Sequence, residues 1–205
     1  TITGLTGTFD APNAGTDKKV NVDSTNPVVT GNNSENYDIT YPAATTASIL
    51  KAEVKDVTPP TANANLEYTS LPLTLVTGGS ATGGTMEYSL DNITYSASLP
   101  TGINAGNYDV WYRVKGDSNH KDSTPAKLDD VTIAKNTGTP TVLCMPSTFQ
   151  YDGTEKTPTV VVRDNAQRII PESEYTVSFS LTPMIAVKTY TVTVTDKPGG
   201  NYEFT

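Results

Sequence analysis

The chain has 205 residues, a net charge of −8, 36% hydrophobic and 18% charged residues, 15 glycines and 14 prolines; it is longer than one typical domain of ~100 to 150 residues and poorer in charge than the roughly 25% of an average soluble protein. Its abundant Thr, Ser, Asn and Gly suit short strands joined by tight turns, and no stretch keeps a 3.6-residue apolar period for three turns, which excludes a helical fold. The scattered acids, with 14 Lys and Arg forming no stripe, exclude nucleic acid as a partner, and the one cysteine, Cys144, excludes an internal disulfide or a paired-thiolate metal site.

The first element is a turn, Asn13-Ala14-Gly15-Thr16, leading into a strand with Val20 and Val22. Asn36-Tyr37 follows, then a short apolar strand, Ile49-Leu50-Lys51, and a linker from Asp56 to Pro60 that proline stiffens. Gly78-Gly79 and Gly83-Gly84 read as a flexible connection, since no Lys-Ser/Thr pair follows to make a phosphate loop. Met86 to Leu90 and Ile93 to Tyr95 predict a hairpin closed by Asp91-Asn92, residues that tolerate the left-handed angles of a two-residue turn.

Asn104-Ala105-Gly106-Asn107 then repeats the first turn, and the next strand alternates: Tyr108, Val110, Tyr112 and Val114 share one face, Asp109, Trp111 and Arg113 the other. Asn119-His120, Ile133-Ala134-Lys135 and a second linker, Asn136 to Pro140, come in the same order as before. Further on, Tyr175, Val177 and Phe179 alternate, as do Tyr190, Val192 and Val194 after a weaker echo of the turn, Ile185-Ala186-Val187-Lys188, in which Val187 stands where the glycine is expected. Asn201-Tyr202 comes near the end, before Thr205.

The asparagines Asn36, Asn119 and Asn201 lie 83 and 82 residues apart, and a fixed period means one structural unit copied. The period divides the chain into a partial module at 1–54 whose N-terminal strands are missing, a complete module at 55–135, and a module at 136–205 that lacks its last strand. Copies of this length with short alternating strands predict an all-β fold of tandem antiparallel β-sandwiches. Thr1 in place of Met, with no basic-then-apolar leader, reads as an excised piece whose signal or anchor lies elsewhere, and no run reaches the ~18 apolar residues of a membrane span, so this segment is not expected to insert in a membrane.

Gly4-Leu5-Thr6-Gly7-Thr8-Phe9, Asn13-Ala14-Gly15 and Asn36-Tyr37 resemble the second half of the Tyr-Asp-Gly repeat of filamentous-haemagglutinin-type adhesins. The second copy, with Tyr88-Ser89-Leu90-Asp91, Ala105-Gly106-Asn107-Tyr108 and Gly116-Asp117, is similar to repeats of cell-wall-associated proteins, and Phe149-Gln150-Tyr151-Asp152-Gly153-Thr154 is similar to the front of such repeats. The resemblance, to bacterial immunoglobulin-like surface-protein repeats, implies immunoglobulin-like sandwiches, an extracellular place at the cell surface or in secretion, and a structural or adhesive role. It carries over no catalytic residue and no cofactor. A non-enzymatic spacer in a larger surface protein is the leading expectation. The alternatives are a module that binds a glycan or a host or extracellular-matrix protein, and accessory modules of a secreted polysaccharide-active enzyme.

His120, the only histidine, occupies the slot of Tyr37 and Tyr202 and is expected at a loop or strand edge; Cys144, in the apolar run Val142 to Met145, is expected buried and inert. Gly116 to Asp122 lacks the Asp/Asn alternation and terminal Glu of a calcium loop and reads as a solvated turn, while Glu172 and Glu174 are expected on one side of a strand, without a cleft for glycoside hydrolysis. Asn32-Asn33-Ser34 and Asn92-Ile93-Thr94 match the glycosylation sequon. Trp111 is the one candidate ligand-binding residue: it is either the inward residue of a sandwich, the favoured reading, or an exposed platform for stacking a sugar ring.

Overall fold

The computed structural model describes residues 1–31 and 34–205, and among them the chain is all-β, with 3-10 turns at Ser34–Asn36 and Glu172–Glu174 and no α-helix. The sheets are small and mostly antiparallel. Two compact units form: Thr1–Thr61 with Gly78–Ser98 and Trp111–Lys127, and Ala62–Thr77 with Leu99–Val110 and Leu128–Thr205.

In the first unit, strand Gly15–Asp23 pairs with Thr6–Phe9 on one side and Ala44–Ile49 on the other, in registers Phe9/Val20 and Val20/Thr45. The ladder shifts between Gly15 and Lys18, where Asp17 takes a left-handed φ of 49°, the signature of a bulge. Val20 alone in this three-stranded sheet is buried, so its packing supplies little cohesion of its own.

The second sheet of that unit pairs Gly84–Ser89 with Val110–Gly116, which also borders Ala126–Leu128. The two-residue period holds here: Met86, Tyr88, Val110 and Val114 are buried, while Glu87 and Arg113 meet on the other face in an ion pair with nitrogen–oxygen distances of 2.8 and 2.9 Å. The expected hairpin is corrected. Tyr88 bridges Ser96 rather than a residue next to a two-residue turn, because the Asp91 carboxylate accepts from Ser89 Oγ and from the Ile93 and Thr94 amides, opening a wider loop. Asn92 does take the left-handed φ, at 58°.

Gly79, Gly83 and Gly84 are tightly packed and not slack. Gly83 has φ +87°, and a Cβ there would stand 2.6 Å from His120 Cγ; one on Gly79 would collide with the Thr58 carbonyl.

In the second unit Leu73–Thr74 pairs with Thr101–Gly102, Gly106–Asn107 with Thr132–Ile133, Thr141–Met145 with Thr159–Arg163, and Tyr175–Phe179 with Val192–Asp196, all antiparallel. Asn136–Gly138 and Tyr202–Phe204 run parallel. The core holds Leu75, Val76, Val131, Ile133, Val162, Ile170 and Tyr202, each with 2% or less of its surface exposed. Glu172 and Glu174 lie in a 3-10 turn closed by the Glu174 amide on the Pro171 carbonyl, not along a strand. Two acids at i and i+2 fit either geometry, and the preceding proline favours the turn.

Candidate functional site

The two motifs that recur along the sequence meet in space. In the first unit the Asn119 side chain reaches the first Asn-Ala-Gly turn: its Oδ1 accepts the Ala14 amide at 2.8 Å and its Nδ2 donates to Asn13 Oδ1 at 3.3 Å. The backbone joins alongside, with the Ala52 amide donating to the Asn119 carbonyl at 2.9 Å and the Lys121 amide to the Ala52 carbonyl at 2.8 Å, a parallel bridge between Ala52 and His120.

Asp117 fixes this asparagine by the local turn that aspartate favours, accepting the Asn119 amide at 2.8 Å; His120 Nδ1 lies 2.7 Å from the same oxygen. The His120 contact first, and the Asn119 amide second, hold the Asp117 carboxyl below the usual range. Lys51 donates to the Asp117 and His120 carbonyls, and Lys121 pairs with Glu53 at 2.6 Å.

The second unit holds the same arrangement. Asn201 Oδ1 accepts the Ala105 amide at 2.8 Å, its Nδ2 approaches Asn104 Oδ1 at 3.5 Å, and the Asn136 amide donates to the Asn201 carbonyl at 2.9 Å. Here the parallel bridge lengthens into a ladder, Asn136/Tyr202 to Gly138/Phe204. Glu174 accepts from the Asn201 amide at 2.7 Å and from its Nδ2 at 2.9 Å.

Tyr202 is 1% exposed and meets Tyr68 edge-on, with ring centroids 5.3 Å apart, a preferred aromatic geometry. Its hydroxyl is buried without a partner of good geometry although Ser70 approaches it, and burial raises its pKa. Arg168, held by the buried Asp164 carboxylate at 2.7 Å, donates to the Thr69 carbonyl at 2.6 Å.

A tyrosine hydroxyl marks the register of the third turn. Tyr108 donates to the Asn104 carbonyl at 2.7 Å, and Tyr190 donates in the same way to the Ala186 carbonyl at 3.1 Å. Ala186 therefore takes the place of Asn104, Val187 that of Ala105 and Lys188 that of the glycine, one residue away from the sequence alignment. Lys188 fits because this position does not require the left-handed region in every copy: Gly106 has φ +142°, whereas Gly15 and Lys188 do not have positive φ.

Trp111 stands apart from both joints. It is half-buried on the face opposite Val110 and Val114, across from Ser89, with Lys127 Nζ 6.0 Å from its ring centre. Nearby on the same strand, Arg113 lies over the Tyr95 ring at 4.2 Å. Asp117 and Asp122 are engaged by internal donors, Asp122 by Lys115 and the Gly116 amide, and among the described residues no three His, Cys, Asp or Glu side chains gather as metal ligands. Asn92 accepts from the Tyr95 hydroxyl at 2.6 Å; the other sequon begins at Asn32 and Asn33, outside the described residues.

A cleft of about 620 Å³ opens in the second unit, lined by Phe149, Tyr151, Phe179, Met184 and Tyr190. Cys144, expected buried, is half-buried on its wall, because the strand that carries it has its partner on one side and the cleft at its face.

The YDG domain family model matches residues 1–47. That stretch holds the first Asn-Ala-Gly turn and Asn36-Tyr37, the residues on which the sequence resemblance rests. Comparison with curated proteins and with solved structures finds no match. No helix among the described residues is long and apolar enough to cross a membrane.

The asparagines that make both joints, and the acids Asp117 and Glu174 that orient them, carried no role in the sequence reading. The recurrence of the asparagines in fixed order is the available signal; the two acids do not recur at a common spacing.

Proposed function

We propose that the chain is a non-catalytic, extracellular spacer segment of a larger bacterial cell-surface protein, built from tandem immunoglobulin-like β-sandwich modules at 1–54, 55–135 and 136–205. The observation that carries this reading is the repeated joint. The same asparagine, donating and accepting toward the same turn, couples the first copy to the second and the second to the third. A chain whose most regular polar geometry lies between its copies is suited to transmitting position and load along itself. Asp117, Asp164 and Glu174 each hold a backbone amide.

The second reading, a module binding a glycan or a host or extracellular-matrix protein, is favoured by the half-buried Trp111 with Lys127 near its ring, on the strand whose Arg113 covers Tyr95. A binding panel of glycans, cell-wall polymers and extracellular-matrix proteins distinguishes the two, with Trp111→Ala as the control. The spacer reading expects no saturable binding; saturable binding that Trp111→Ala removes would replace it with the adhesive one.

A further inference from the structure

The third copy presents an open strand edge where the other two copies carry a strand. In the first copy Gly15 pairs antiparallel with Ile49; in the second, Gly106 pairs with Ile133 and Asn107 with Thr132, and the Tyr108 amide donates to the Val131 carbonyl at 2.8 Å. Val131 and Ile133 alternate inward and are 2% and 1% exposed. The matching positions of the third copy are Lys188, Thr189 and Tyr190, fixed by the shared tyrosine-to-carbonyl hydrogen bond. Among the described residues no strand pairs with them.

All three line the cleft of about 620 Å³, together with Phe149 and Met184. The apolar surface there is unusually bare: Val187 is 84% exposed, Tyr151 61% and Phe149 42%. An unpaired edge beside apolar pockets is the arrangement that strand addition uses, with main-chain hydrogen bonds giving affinity and pockets for alternate side chains giving specificity.

We propose that this cleft is a strand-acceptor site, and that its occupant is an extended antiparallel segment of the repeat's own Val-x-Ile-x-Lys type, its isoleucine opposite Lys188 and its valine and isoleucine side chains directed into the cleft. The pattern is the one Val131, Thr132, Ile133, Ala134 and Lys135 display in the second copy. The site concerns pairing inside one copy, so it stands or falls separately from the spacer reading.

The test is a titration of the full chain with a synthetic peptide of residues 128–135, followed by amide NMR. The control is the same peptide with Thr132→Pro and with serine at the Val131 and Ile133 positions. The expected result is saturable shifts at the amides of residues 187–190 with the first peptide and none with the control. Alkylation of Cys144, the only thiol in the chain and a residue on the cleft wall, is expected to slow about tenfold when the peptide is bound. Absence of shifts at millimolar peptide, or shifts centred on Gly106 to Tyr108 through displacement of the resident strand, would overturn the proposal. So would equal response to the control, or saturable occupation of the cleft by a glycan in place of the peptide.

Discussion

The two joints use one asparagine geometry in different surroundings. In the first, Asn119 is fixed by Asp117, neighbours a single parallel bridge, and is ringed by partly exposed ion pairs such as Lys121 with Glu53. In the second, Asn201 is fixed at two points by Glu174, a three-residue ladder extends from it, and Tyr202 is buried against Tyr68. The difference lies in the residue after the asparagine. His120 keeps its ring partly solvated and bonded to Asp117, whereas Tyr202 is almost fully buried. The polar contact sets the register at both places, and apolar burial makes the second joint the stronger.

The largest effect is expected at Tyr202. Replacing it with Ala should cost about 3–5 kcal/mol, the range for deleting a large buried aromatic, whereas Tyr202→Phe should cost nothing or stabilise by up to about 1 kcal/mol because an unpartnered buried hydroxyl is removed. Denaturant unfolding followed through amide resonances of residues 160–175 measures both. A loss in the Phe variant comparable to that in Ala would mean that the hydroxyl is satisfied and that the joint is not chiefly an apolar contact.

Next come the asparagines themselves. Asn201→Ala should destabilise the second unit by about 2 kcal/mol and Asn119→Ala the first by about 1 kcal/mol, since the former also leaves the Glu174 Oε1 acceptor without its Nδ2 donor. Equal losses would erase the distinction between the joints. Asn119→Asp, which retains the acceptor for the Ala14 amide, should recover part of the loss.

The smallest effect is one of pH. The folded-state pKa of Asp117 lies below its ordinary value of 3.8, so its contribution is present above that value and is lost as pH falls through the lowered one. Acidification from pH 5 into that window should perturb the resonances of Ala14, Asn119 and His120. Asp117→Asn should abolish that acid limb, and an unchanged profile in this variant would remove Asp117 from the account.

Much of the fold was legible because a two-residue period is written directly into Tyr108 to Val114, and its valines are fully buried. Local polar capture was not. The Asp91 carboxylate, pushed far below the usual range by Ser89 first and then by the Thr94 and Ile93 amides, widens a loop that residue propensities render as a tight turn. The glycine pairs misled for a related reason, since composition cannot distinguish a slack loop from close packing against His120 or Thr58.

Self-comparison found both halves of each joint but assigned them no role. Repeats align a motif with its own recurrence, whereas these contacts join two different motifs, across 105 and 96 residues. Strand alternation and residue type together single out Trp111, and the expected choice between burial and exposure resolves into a half-buried ring beside Lys127.

Amide hydrogen exchange at Ala14 and Ala105 tests the central claim most directly, because these amides have the Asn119 and Asn201 side chains as their acceptors. The account predicts that both are protected in the intact chain, Ala105 the more strongly, and that Asn119→Ala exposes Ala14 alone while Asn201→Ala exposes Ala105 alone. Exchange at the rate of a free loop amide in the unmodified chain, or protection that survives the loss of the asparagine, would contradict it.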